Sequence, residues 1–239
     1  MSVQRIDKII TSQGLLTRTD VRRMVKSGAV QVNGTVVRDS GKHVDTQTDQ
    51  ITVNGVPLIY REHIYIMMNK PAGVLSASRD PKTPTVIDLV PKELQRAGLF
   101  PAGRLDKDTT GFILITDDGD FAHRILSPKN HVPKVYEAEL DAPIQTEDIA
   151  AFSRGIVLED GVQCRSAVLE PLADKQVPAA RVTLCEGKFH QVKRMFAAVG
   201  KTVVSLKRLS IGGVTLDESL APFQCRLITD LELHSILNK

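Results

Sequence analysis

Tryptophan is absent from the chain, and three tyrosines and seven phenylalanines are all the aromatic residues it has. Such a chain has few rings to spare for stacking bases, so each ring must count singly. Cysteine is scarce too. Cys164, Cys185 and Cys225 are odd in number, far apart and in no metal-ligand spacing, which argues against a disulfide framework and for reduced thiols. No apolar run reaches membrane-spanning length, and the opening "MSVQRIDKII" lacks the apolar stretch of a secretory signal. These absences lead us to expect a cytoplasmic protein with no membrane partner. No nucleotide-cradling or metal-binding motif occurs, and there are no low-complexity tracts.

What is present suits one large domain or two modest ones: 239 residues, 42% apolar and 25% charged. The net charge of +3 is unevenly spread. Residues 1–45 hold eight Lys/Arg against four Asp, and residues 181–210 hold seven against Glu186 alone. Two basic blocks flanking a more acidic middle fit a polyanionic partner touched at two places. Charge runs are as often plain solvated faces, so composition leaves both readings open.

The first sixty residues read as a small unit. "TDVRRMVKSG" places Val21, Met24 and Val25 at helical spacing with Gly28 as the stop. Asn33-Gly34 and Asn54-Gly55 each mark a hairpin. We expect a domain boundary near residue 60, dividing 1–60 from 61–239. Beyond it, "HIYIMMNKPAG", "GFILITDDGDFAHRIL", "KVYEAEL" and "ARVTLCEGKFHQVKRMFAAVG" mix strands and helices without a regular βαβ period, which predicts an α+β fold.

Three clusters could carry chemistry. "GRLDKDTTG" (Gly103–Gly111) and the following "TDDGD" hold five aspartates, Asp106, Asp108, Asp117, Asp118 and Asp120. The strand between them rises about 3.3 Å per residue, so the two groups sit at opposite ends and do not share a metal. Asp117, Asp118 and Asp108 read as turn residues. Asp106 stands beside Arg104, and a carboxylate so placed stays ionised and can act as nucleophile or base. Spacing alone equally describes a turn aspartate paired with Arg104.

The second cluster is "EGKFHQVKRMF". Taken as a helix from about Phe189, it aligns Phe189, Val192, Met195, Phe196 and Val199 as a stripe. At about 100° per residue, Lys193 flanks that stripe beside a possible cleft, whereas His190 and Arg194 point away together. A lysine in that position can also simply snorkel. The third is Tyr136 in "KVYEAEL", an ordinary half-buried strand residue whose ring would nevertheless suit an extruded base.

In this order, "NKPAG", "PAGRLDKDTTGFILITDDG", "HRILSPKNHVPKVYEAEL" and "EGKFHQVKRMF", then "VVSLKRLSIGGVTLDESL", resemble the motifs of the bacterial small-subunit rRNA pseudouridine synthases (RsuA-like family). The preceding "QRIDKII…GLLTRTDVRRMVKSGAVQVNG" resembles an S4 RNA-binding domain of α-L type. The resemblance spans nearly the whole chain. It implies an isomerase whose catalytic domain has a mixed, mainly antiparallel sheet and a central cleft.

By the same resemblance Asp106 is the catalytic aspartate. Tyr136 stacks on the uracil and can serve as general base, and Lys193 is the cation paired with Asp106, with Arg194 as the alternative. Leu206 packs against the base, with Arg104 and Arg194 as further substrate contacts. Arg5, Arg18, Arg22, Arg23 and Lys26 contact RNA phosphates. Breaking N1–C1′ of uridine and rejoining the base through C5 changes no oxidation state, so neither cofactor nor metal is required. The implied partner is 16S rRNA or a small-subunit assembly intermediate, met by a monomer, with uridine 516 in the usual bacterial numbering as target. A 23S uridine, a non-catalytic RNA-binding role and a metal-dependent nuclease are the competing readings.

Overall fold

The structure is a computed structural model that describes residues 3–14 and 16–237. It divides into two compact units, one of Met1–Ile64 with Val90–Leu99, the other of Tyr65–Leu89 with Phe100–Lys239.

In the first unit β1 (Val3–Arg5) runs into α1 (Ile6–Ser12), followed by α2 (Arg18–Ser27). Thr17 and Asp20 form a reciprocal capping box at the start of α2, with the Asp20 N–H donating to Thr17 Oγ1 at 3.2 Å and the Thr17 N–H to Asp20 Oδ2 at 3.0 Å. Five short strands follow: β2 (Val30–Val32), β3 (Thr35–Val36), β4 (His43–Asp45), β5 (Ile51–Val53) and β6 (Val56–Pro57). Both Asn-Gly hairpins form, with φ of 51° and 77° at Asn33-Gly34 and 51° and 75° at Asn54-Gly55. Positive φ at both central residues matches the strand twist, which is why this dipeptide recurs at such turns.

The two hairpins join side by side in the order β3-β2-β5-β6, while β1 pairs with β4. Ile6, Ile9 and Ile10 of α1, Val21 and Val25 of α2, and Val30, Val32 and Ile51 of the sheet form one core. Burying that stripe leaves Arg18, Arg22 and Lys26, four residues apart on α2, exposed. Arg23 is also exposed but ion-paired with Asp20, and Arg5 is held by the buried Asp7, its Nη2 2.7 Å from Oδ2.

The second unit is built on β7 (Tyr65–Lys70), β8 (Phe100–Pro101), β9 (Thr110–Thr116), β10 (Lys134–Leu140), β11 (Val168–Pro171), β12 (Ala179–Leu184), β13 (Val203–Ile211), β14 (Val214–Thr215) and β15 (Cys225–Leu227). Interleaved are α3 (Gly119–Leu126), α4 (Thr146–Arg154), α5 (Gln191–Ala198) and α6 (Asp230–Leu237). The main path of the sheet is β11-β12-β10-β13-β9-β7-β15, with β14 on β13 and β8 on β9. All its pairings are antiparallel except β13 with β9. This is the expected α+β arrangement around a mixed, mainly antiparallel sheet.

Strands β7 and β9 each carry a central apolar run because both their faces are covered: Ile66, Met67, Met68 and Phe112–Ile115 are fully buried. Phe121 and Ile125 of α3 and Ile236 of α6 pack on that half. Phe152 of α4 and Met195 and Phe196 of α5 pack on the β10–β12 half. The parallel β13–β9 seam joins the two halves, and the candidate site gathers there.

Candidate active site

Asp106 lies in the loop that enters β9, and buried polar groups hold that loop. Lys70, at the end of β7, is fully buried, and its Nζ donates to the carbonyls of Pro71 (2.9 Å), Lys107 (3.1 Å) and Thr109 (2.9 Å). Burial pulls its pKa down to about 8, against the attraction of Asp108 and Asp106. Ser76 clasps Leu105 from both sides, its Oγ donating to the Leu105 carbonyl at 2.9 Å and accepting from the Leu105 N–H at 3.0 Å. At the loop's far end Gly111 has φ of 95°, and a Cβ there would lie 2.3 Å from the Arg208 carbonyl oxygen. Only glycine lets the two backbones of the seam approach so closely.

The turn before α5 closes over this loop. Helix α5 starts at Gln191, two residues later than the apolar spacing suggested, because His190 adopts a left-handed φ of 49°. That kink corrects the helical-wheel placement. His190 does not point away alongside Arg194; its Nε2 is 3.4 Å from Asp106 Oδ1. Phe189 is not part of the apolar stripe but 74% exposed. The turn is anchored by buried Glu186, which accepts from the Arg165 N–H (2.9 Å) and Gln191 Nε2 (2.7 Å) and pairs with Lys188.

Lys193 reaches the loop as its flanking position implied, but it is shared. Its Nζ donates to Asp108 Oδ1 and Oδ2 at 2.6 and 2.7 Å and lies 3.8 Å from Asp106 Oδ2. Asp108 is thus more than a turn residue, and the Lys193 hydrogen bond holds its carboxyl below the usual carboxylate range. Arg194 turns elsewhere, to Asp160 at 2.5 Å, so of the two adjacent cations only Lys193 meets Asp106. Arg104 is exposed to solvent.

Sheet register brings Tyr136 into line with the loop. Tyr136 of β10 pairs with Arg208 of β13, which pairs in turn with Gly111 of β9. Two inter-strand steps of about 4.8 Å therefore separate Tyr136 from the residue that closes the Asp106 loop. The Arg208 guanidinium is buried, donates from Nε to the Phe112 carbonyl at 2.7 Å and lies 6.0 Å from the Tyr136 ring centroid. Its Nη2 has no hydrogen-bond partner among the described residues. Leu206 sits opposite Ala138 on the neighbouring β13 position, buried against the β10–β12 core.

The other acidic cluster is a separate structure. Asp118 at the far end of β9 caps α3, accepting from the Phe121 N–H at 2.9 Å, and also accepts from the Tyr65 hydroxyl at 2.6 Å. Among the described residues no three His, Cys, Asp or Glu side chains form a metal-holding group, and no helix is long and apolar enough to cross a membrane. Sequence reasoning overlooked Lys70 and Arg208, read Asp108 as a turn residue and turned His190 away from the loop. The one available signal was a lysine ending an otherwise apolar strand, since Asp108 and Lys193 are 85 residues apart and nothing local joins them.

Comparison with known proteins shows what the chain as a whole resembles. Residues 64–198 match the RNA pseudouridylate synthase family and residues 4–51 match the S4 domain. A Bacillus subtilis protein described as the uncharacterized RNA pseudouridine synthase YtzG is 49% identical over 98% of both chains. The Escherichia coli ribosomal small subunit pseudouridine synthase A is 40% identical over 98% of this chain and all of its own length. A crystal structure of a pseudouridylate synthase superposes with a TM-score of 0.67 at 37% identity, covering 98% of this chain and 99% of that one. On these matches the chain belongs to the RNA pseudouridylate synthase family, in its RsuA-like branch, with an S4 domain ahead of the synthase domain.

Proposed function

We propose that the protein converts a uridine of small-subunit ribosomal RNA to pseudouridine, with uridine 516 as the target and Asp106 as the catalyst. The observation that carries this reading is the setting of Asp106. Its carboxylate, 24% exposed, stands between His190 Nε2 at 3.4 Å and Lys193 Nζ at 3.8 Å, on a loop fastened by Lys70 and Ser76. An ionised oxygen is what each route requires, whether it attacks the sugar, attacks the base or takes a sugar proton.

In the reaction the N1–C1′ bond breaks, the uracil turns and C5 bonds to C1′. The C5 hydrogen then leaves as a proton and N1 gains one, so the net change is an isomerisation. Tyr136 stacks on the extruded uracil and takes the C5 proton, Leu206 covers the base's edge, and Arg104 and Arg194 contact the nucleotide. Residues 1–60 dock on folded RNA and residues 61–239 carry the reaction. Arg18, Arg22 and Lys26 form the main phosphate contact, because Arg5 and Arg23 share their charge with Asp7 and Asp20. The RNA is met as free 16S rRNA or as an assembly intermediate, by a monomer.

Carbodiimide treatment of rRNA followed by reverse transcription, compared between wild-type and deletion strains, tests the assignment. Loss of one stop in 16S rRNA on deletion, restored by the wild-type gene, is expected at uridine 516. A stop lost from 23S rRNA instead, or an unchanged pattern, would overturn it.

A further inference from the structure

Phe189 is the most exposed of the seven phenylalanines, at 74%. An aromatic ring left in water at such a level stands out where Phe112, Phe121, Phe152 and Phe196 are all buried. It is also held in place. Its ring stacks on His190 with centroids 3.8 Å apart and planes at 20°, and its carbonyl accepts from Arg194 Nη1 at 3.4 Å. The turn beneath is pinned by Lys188, whose N–H donates to Gln191 Oε1 at 2.9 Å, and by Glu186 through Gln191. One face of the ring therefore stacks on an imidazole that itself reaches Asp106, while the residue as a whole stays open to solvent.

We infer that the outer side of Phe189 is a stacking platform for an unpaired nucleobase adjacent to the target uridine. The inference rests on the reading of Asp106 as the centre of an RNA reaction. Extruding one base leaves each neighbour with an unstacked face, and an aromatic side chain replaces the lost partner without selecting base identity by hydrogen bonds. Position favours this occupant: His190 reaches Asp106 through Nε2 and stacks on Phe189, so the ring stands one imidazole away from the carboxylate read as the catalyst. The platform is thus a substrate-binding element that would set tolerance for the neighbouring nucleotide.

The chain's lack of tryptophan makes a direct test available, because Phe189→Trp installs a lone indole emitter at an exposed site. The probe is a small-subunit rRNA fragment carrying the target uridine, made intact and with an abasic nucleotide on its 5′ or 3′ side. Binding of intact RNA is expected to quench the emission of the Phe189→Trp variant, and one of the two abasic fragments to leave it unquenched. Phe189→Ala is expected to weaken binding of intact RNA roughly tenfold, with Phe189→Tyr close to wild type. On the abasic fragment that abolishes quenching, wild type and Phe189→Ala should bind alike. Quenching that survives both abasic changes, or equal losses on intact and abasic RNA, would overturn the platform and leave the Asp106 reading standing. Failure of the wild-type chain to bind any of the fragments would overturn both.

Discussion

Lys193 is divided between two carboxylates, and that division defines what single residues should do. It bonds both oxygens of Asp108 while standing 3.8 Å from Asp106. If its task is to orient Asp106 and supply a positive charge beside it, Lys193→Met should lower kcat by roughly two orders of magnitude or more. Asp108→Asn, which frees Lys193 to move wholly to Asp106, should cost less than about tenfold by the same reasoning. Steady-state kinetics on one RNA would compare them, and a larger loss in Asp108→Asn than in Lys193→Met would reverse the roles assigned to the two carboxylates. At this scale the sequence was uneven. Asp106 and Lys193 could each be singled out as candidates, yet the sharing of Lys193 between two carboxylates was hidden, because Asp108 looks like any turn aspartate until α5 is brought against the loop. His190 was misplaced for a local reason: a left-handed residue before a helix leaves no mark on apolar periodicity.

Elements were easier to anticipate than their ends. The Asn-Gly hairpins, the α2 stripe and the apolar runs of β7 and β9 all follow from short-range pattern, whereas the single parallel pairing of β13 with β9 depends on contacts about a hundred residues apart that no window contains. The buried polar groups that brace these elements were likewise hidden. Lys134 of β10 is one, its Nζ donating to the carbonyls of Ile125 at 3.1 Å and Val132 at 2.9 Å. Burial, with Arg208 nearby, pulls its pKa from 10.5 to about 8. The folded chain therefore releases this proton before the unfolded chain does. The cost of burying the charge is present in full below about pH 8 and is relieved as pH rises toward the unfolded value. Relative to a Lys134→Met variant, wild-type stability should climb between these limits by up to about 1.4 kcal/mol per pH unit. Denaturant unfolding at several pH values measures it, and a constant difference between the two proteins would contradict the assignment.

For the whole molecule, a mild net charge of +3 conceals two strongly basic stretches, and the proposed division of labour gives each a task. Arg18, Arg22 and Lys26 crown α2 in the first unit, while Lys193 and Arg194 belong to the second. Replacing Arg22 and Lys26 together by glutamine should weaken RNA binding and reduce the slope of log Kd against log salt by about 1.5. Isomerisation at saturating RNA should persist, because neither side chain belongs to the second unit. An unchanged slope would remove α2 from the RNA-binding surface. Composition could suggest two basic contacts, but only the fold shows that Arg5 and Arg23 already have acidic partners.

The most direct measurement is tritium release from small-subunit rRNA labelled at C5 of uridine, made with wild-type protein and Asp106→Asn side by side with an RNA-binding assay. Release by the wild type, none by Asp106→Asn, and equal RNA binding by both is the result the mechanism predicts. Release that continues undiminished in Asp106→Asn would contradict it.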